Sequence, residues 1–333
     1  MPKPPAISVL MPVRDAAATL EAAVRSVQAQ TWTDWELVIV DDGSQDVTPT
    51  LLAHLAAQDE RLIILRQPAS GIAKALQCGC ESCRGDFIAR MDADDVMAPQ
   101  RLEFQHAFLQ AEPSMGLVSC LVRFGGAGEG YAAHVDWINA LRTPESMALR
   151  RFVEAPVAHP SVMFRRRLLQ EHGGYREGDF PEDYELWLRW LEAGVRFGKV
   201  EQELLTWNDP PQRLSRTDPR YSVESFYAMK LGYLRRWLVA QAVDREIWLW
   251  GAGRITRRRF DPIADLLTGF IDVDESKRGQ RRDGREVRLV GELPPRDQSL
   301  ILGGVANRGA REAIARHLIE LGRVEGEDFL LVA

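Results

Sequence analysis

Short runs of apolar residues recur along the first hundred positions, and the stretches between them carry apolar residues at helical spacing. Segments 7–12, 36–41, 62–65 and 87–91 are nearly continuous apolar runs, as strands buried on both faces are. Between the first two, Leu20, Ala23, Val24 and Val27 fall on one helical face, and segment 72–83 repeats the pattern further on. This alternation predicts a mainly parallel sheet flanked by helices, an α/β fold whose ligands gather at the carboxyl ends of the strands. From about residue 113 the alternation breaks. The glycine-rich stretch 125–130 reads as a flexible loop, and apolar-rich helices are expected at 183–193 and 222–240.

A second pattern begins near Asp244, where the apolar run Ile247-Trp-Leu-Trp250 meets Gly251-Ala-Gly253. With strands expected at 269–273, 299–302 and 329–332 and a helix at 310–321, this is a small Rossmann-like α/β unit. The expected division is 1–243 and 244–333, in keeping with a chain of 333 residues.

Composition narrows the class. With 45% apolar residues, nine Trp and 27% charged residues the chain is an ordinary globular protein. A net charge of −6 argues against a nucleic-acid partner, although Arg165-Arg166-Arg167 and Arg257-Arg258-Arg259 are local basic clusters. No run is long enough to span a membrane, and the apolar run after Met1 is cut short by Arg14 and Asp15. A cytoplasmic protein is expected. Cys78, Cys80 and Cys83 lack the second ligand pair of a zinc site, and Leu76, Cys80 and Cys83 share a helical stripe, so buried thiols are expected.

The stretch Ile88-Ala-Arg-Met-Asp92-Ala-Asp94-Asp95 sets three carboxylates behind a buried strand. Like charges this close need a compensating cation or hydrogen-bond donors. Asp92 and Asp94 suit Mn²⁺ or Mg²⁺, which favour carboxylate oxygens. The alternative is that Asp94 or Asp95 caps the helix containing Arg101 to Leu109. Glu182-Asp183 also reads in two ways, as a catalytic carboxylate or as acids favoured by a helix dipole.

Several motifs in order resemble bacterial family 2 glycosyltransferases: Ile7-Ser-Val-Leu-Met-Pro12, Asp41-Asp42-Gly-Ser44, Ser70-Gly-Ile-Ala-Lys74, Arg90-Met-Asp92-Ala-Asp94-Asp95, His159-Pro-Ser161 and Glu182-Asp183-Tyr-Glu-Leu-Trp187. The resemblance spans about residues 6 to 240 and implies a GT-A fold and a metal-dependent, hexosyltransferase-type enzyme. Such an enzyme moves a sugar from a nucleotide donor, commonly a UDP-sugar, to a glycan or lipid-linked acceptor with inversion, here in bacterial surface polysaccharide synthesis. On this resemblance Pro12, Asp42 and Lys74 belong to the donor site and Asp42 holds the base. Asp92 touches the ribose or the metal, Asp94 ligates the metal, and Asp183, with Glu182 as the next candidate, is the general base. His159 is expected to be a hydrogen-bonded structural residue.

The chain departs from the family pattern at Asp15, Ala69 and Gln77, where Asn is frequent, and at Trp207-Asn208-Asp209, where a His is frequent. Whether Asn208 or Asp209 replaces that His stays open. Arg213 and Arg216 are candidates for diphosphate contacts or for an ordinary surface. Gly251, Gly253 and Asp272 resemble part of a dinucleotide fingerprint, with Thr256 in place of the third glycine, and the other reading is a docking or stability module. Two rival functions follow, a non-catalytic sugar-nucleotide sensor and an NAD-dependent enzyme using the C-terminal unit. Tyr233-Leu-Arg-Arg-Trp237-Leu allows peripheral contact with the inner face of a membrane or core packing, and self-association is allowed for.

Overall fold

The computed structural model describes residues 3–126, 128–210, 213–242, 244–307 and 309–333. Met1 and Pro2, Ala127 of the glycine-rich stretch, and Val243, at the expected division, lie outside the described residues. Two compact units are present: residues up to Ala148 with Pro156–Asp218, and Leu149–Ala155 with Pro219–Ala333. By contacts the chain divides after Asp218 and not after 243, so the Val223–Gln241 helix belongs to the second unit. Ser222 caps that helix by accepting from the Ser225 N–H.

The first unit is built on eight strands: β1 (Ile7–Val13), β2 (Trp35–Asp42), β3 (Leu62–Gln67), β4 (Phe87–Arg90), β5 (Val96–Met97), β6 (Met115–Phe124), β7 (Met163–Arg165) and β8 (Arg196–Trp207). They are ordered β3-β2-β1-β4-β7-β6-β8-β5. Strands β1 to β4 are parallel, β7 runs antiparallel to both β4 and β6, and β8 is parallel to β6. β1 and β2 are buried at every position, which is why they read as continuous apolar runs. Val24 and Val27 of the Leu20–Gln28 helix and Leu52 of the Thr48–Gln58 helix join the β1 and β2 side chains in one core.

Part of the stretch expected to be a flexible loop is ordered. Gly125 N–H donates to Trp207 O, and the Glu129–Ala140 helix begins inside the stretch. A Cβ on Gly125 would lie 2.1 Å from the Asn208 Oδ1, so the glycine is there for close approach.

The second unit has six strands: β9 (Glu246–Trp250), β10 (Gly269–Asp272), β11 (Arg281–Arg282), β12 (Arg285–Leu289), β13 (Ser299–Gly303) and β14 (Phe329–Leu331), in the order β11-β12-β10-β9-β13-β14. All pairings are parallel except the β11/β12 hairpin. Tyr233, Leu234 and Leu238 are buried in this unit and Trp237 packs on Phe152, so the 233–238 stretch is core and offers no interfacial apolar face. Among the described residues no helix is long and apolar enough to cross a membrane.

Candidate active site

The chain turns sharply after β4, with the Asp95 N–H reaching back to Asp92 O at 3.4 Å. This brings carboxylate oxygens of Asp92, Asp94 and Asp95 within 4.8 Å of one another. None caps the following helix: Arg101–Ala111 has Gln100 at its N-cap, which removes the capping alternative for Asp94 and Asp95. Burial, then the charge of Asp92, pushes Asp94 up to about 6, and Asp95 is raised well above the usual carboxylate range by burial and the charges of Asp92 and Asp94.

Two groups hold the cluster together. Arg90, 1% exposed, pairs with Asp92 from beneath. Asn208, at the end of β8, donates its backbone N–H to Asp95 Oδ1 at 2.8 Å and its side-chain amide to Asp94 O at 2.7 Å. It therefore buttresses the acids, while Asp209 turns away to Arg216 at 2.5 Å. Asp95 Oδ2 and Arg90 Nε are buried without a hydrogen-bond partner. Three converging carboxylates, one with an orphaned oxygen, are a donor set that fits a divalent cation such as Mn²⁺ or Mg²⁺.

Asp183 lies on the first turn of the Glu182–Glu192 helix, and its Oδ1 accepts from the Tyr184 N–H at 2.7 Å. Burial raises its proton affinity, and it is close enough to Arg90 and Asp92 for both charges to act on it. The apolar stripe of the helix, with Leu186, Trp187 and Trp190 fully buried, fixes the helix and hence the carboxylate. Glu182 is buried, 2% exposed. His159 is buried and shares a 2.7 Å hydrogen bond with the Tyr175 hydroxyl, as expected of a structural histidine.

Arg213 is held between two aromatic rings, 4.3 Å from the Trp207 centroid and 4.6 Å from that of Tyr131. Its Nη1 has no hydrogen-bond partner, and its charge lowers the proton affinity of both Asp94 and Asp95. Arg213 thus faces the acid cluster and stands 4.0 Å from Asp209, whereas Arg216 pairs closely with Asp209 at 2.5 Å. Tyr131, on the helix that follows Gly125, was not legible as a site residue. Burial raises its proton affinity, and the charges of Arg213, Asp209 and Asp183 act on it as well, which puts it at the same opening.

At the other end of this edge, Asp42 is nearly saturated. Its carboxylate accepts from Gln67 Nε2, Ser70 N–H and Gly71 N–H, each at 2.8 Å, and so shapes the loop before the Ile72–Ser82 helix. One acceptor site remains for a ligand. Pro12 ends the useful part of β1. Leu10 O accepts from the Met91 N–H, so Pro12, two residues on, turns its missing donor to the side where β4 has ended. Lys74 is half exposed and lies 3.3 Å from Glu177.

In the second unit, Gly251 adopts φ +128°, a conformation that requires glycine. Asp272, however, is turned onto its own chain: it accepts from the Ala252 and Asp274 N–H groups, both at 3.0 Å, and from Lys277 Nζ at 2.9 Å. That carboxylate ties the Gly251–Gly253 turn to β10. The cysteines are free, Cys83 and Cys120 are buried and Cys78 and Cys80 half-buried, and among the described residues none joins a group of metal-ligating side chains.

The site is thus an acidic cluster at the carboxyl end of β4, backed by a buried arginine and approached by a helix-borne carboxylate, and comparison with known proteins gives its class. The model of glycosyl transferase family 2 matches residues 8–173. An uncharacterized glycosyltransferase of Haemophilus influenzae is 31% identical over 207 residues, covering 60% of this chain and 74% of its own. The O-antigen biosynthesis glycosyltransferase WbnJ of Escherichia coli is 26% identical over 242 residues, 71% of this chain and 91% of its own. Among solved structures, the mannosyltransferase PcManGT from Pyrobaculum calidifontis, in complex with GDP-Man and Mn²⁺, is similar with a TM-score of 0.56 at 20% identity, over 70% of this chain and 65% of that chain. The chain belongs to glycosyltransferase family 2, and its first unit has the GT-A fold.

Proposed function

We propose that this protein transfers a sugar from a nucleotide donor, such as a UDP-sugar, to a glycan or lipid-linked acceptor with inversion, in the synthesis of a bacterial surface polysaccharide. The observation that carries the reading is the meeting of the Asp92, Asp94 and Asp95 carboxylates with Arg90 below and Asp183 close by. WbnJ, named for O-antigen biosynthesis, supports the polysaccharide context, and PcManGT, solved with GDP-Man and Mn²⁺, supports a nucleotide-sugar donor and a divalent cation.

In this reading Asp92 and Asp94 hold Mn²⁺ or Mg²⁺, with Asp95 completing the set. When bound, the cation stabilises the negative charge that gathers on the departing diphosphate. Arg213, whose Nη1 makes no hydrogen bond and only a long ion pair with Asp209, reaches a diphosphate oxygen, and Asp42 gives its remaining acceptor site to the base. Asp183 accepts the proton of the acceptor hydroxyl as that oxygen attacks the anomeric carbon from the face opposite the leaving group. Its raised proton affinity suits a base that must take a proton near neutral pH.

The test is a screen of UDP- and GDP-sugars scored by release of the nucleoside diphosphate, with Mn²⁺ and with EDTA. Release from one donor class that requires the cation is the expected result. Release that EDTA leaves untouched removes the metal from the scheme, and no release from any donor, with nucleotide still bound, favours a sensor.

A further inference from the structure

A second polar cavity opens at the other end of β4. The acid cluster follows the carboxyl end of this strand, whereas Asp86 and Phe87 lead into its amino end. There, with Gln110, Gln170 and Arg165-Arg166-Arg167, they line a cavity of about 330 Å³. The four residues of β4, roughly 13 Å of chain, separate the two places.

Three guanidinium groups share this cavity, and they are unequally occupied. Arg165 is structural on one side, donating to Met115 O at 2.9 Å and Leu109 O at 2.5 Å, with its guanidinium 5.4 Å from the centre of the Phe87 ring. Arg166 donates Nε to Gly85 O at 2.6 Å, and its Nη2 stands 4.0 Å from Asp86, whose side chain is 86% exposed. Arg167 stands 3.8 Å from Glu171. Both ion pairs are long and exposed, and such pairs contribute little. Burial and the neighbouring Arg167 lower the proton affinity of Arg165, the mark of cations crowded without an adequate counter-charge. Terminal guanidinium nitrogens of Arg166 and Arg167, flanked by the Gln170 amide, form a donor set matched to a tetrahedral oxyanion, while the Gln110 amide is 3.3 Å from His106 Nε2.

We propose that this cavity is an anion site for a phosphate group, separate from the donor site, with the phosphate supplied by an anionic lipid headgroup or by a soluble phosphorylated molecule. The site gives a chain without a membrane-spanning helix among its described residues a way to meet a phosphate-bearing surface.

The experiment uses the full chain and the double variant Arg166→Gln/Arg167→Gln, which leaves the Arg165 contacts in place. Pyrophosphate is titrated calorimetrically against a chloride control of equal ionic strength, and co-sedimentation compares vesicles containing phosphatidylglycerol with vesicles of phosphatidylcholine alone. The parent should bind phosphatidylglycerol vesicles in a salt-sensitive way. The double variant should bind them roughly thirty-fold more weakly, since each basic residue near an anionic surface contributes about a factor of five. Its melting temperature and its Mn²⁺-dependent donor hydrolysis should match the parent. Pyrophosphate binding that the variant loses, without vesicle binding, assigns the site to a soluble ligand. Equal binding by parent and variant in both assays, or no binding by the parent in either, overturns the proposal.

Discussion

Arg90 and Asp92 form a buried-to-surface ion pair: the guanidinium is 1% exposed beneath a carboxylate that is 25% exposed. Arg90 is the resident cation of the acid cluster. Replacing one partner of such a pair strands the other charge, so Arg90→Gln should lose about 3–5 kcal/mol of stability in urea unfolding. Mn²⁺ should restore more stability to this variant than to the parent, because it replaces the missing charge. A variant as stable as the parent and indifferent to Mn²⁺ would contradict the assignment.

If Asp94 holds the proposed cation, its binding should depend on pH. With its carboxyl raised to about 6, Asp94 binds a proton in competition with the cation, so Mn²⁺ affinity should fall as pH drops through 6. The metal-free protein should show the opposite trend. Folded Asp94 keeps its proton above the ordinary value of 3.8, so the stability it contributes is full below that value and is lost as pH rises to about 6. Thermal melts in EDTA across this range should reveal the slope, and Asp94→Asn should flatten it while abolishing Mn²⁺-stimulated hydrolysis.

Arg213 and Arg216 should part company. Arg213→Gln removes the guanidinium that faces the acids and is held only by a long ion pair with Asp209, and it should weaken nucleoside diphosphate binding about 10- to 100-fold, the range of a hydrogen bond to a charged group. Arg216→Gln removes an exposed partner of Asp209 and should change the affinity by less than about threefold. Calorimetry with UDP and GDP in the presence of Mn²⁺ measures both, and equal effects would place the diphosphate elsewhere.

For Asp183 the separation is between rate and binding. Asn preserves the shape and the oxygen that accepts from the Tyr184 N–H, so Asp183→Asn should melt close to the parent and bind nucleotide normally. It should lose on the order of 10²–10⁴-fold in transfer rate, since only the proton acceptor is gone. Normal turnover would move the base to another residue, with Glu182 next in line.

The fold was largely legible where burial is two-sided and local. Strands β1 to β4 and the Ile72–Ser82 and Glu182–Glu192 helices lie within a residue or two of their apolar patterns. β6 and β8 were missed. Their pairing carries register shifts around Cys120 and Leu121, and β8 exposes Glu201, Gln202 and Glu203 in succession, so no period of two survives in the sequence. The acids of the site could be read because they are neighbours in the chain. Arg90 could have been noticed as a charge inside a strand two positions before Asp92. Asn208 stood out only against the family pattern, and its part as a buttress could not be read, because its contacts to Asp94 and Asp95 cross 114 and 113 residues.

That long closure has a consequence for how the protein is made. Chains leave the ribosome amino end first, and β1 to β4 with all three acids emerge about a hundred residues before β8. Until Trp207 and Asn208 arrive, β5 has no strand to pair with and Asp95 has no donor from this segment. The contacts that Asn208 makes to Asp94 and Asp95 therefore form only when synthesis of the first unit is nearly complete.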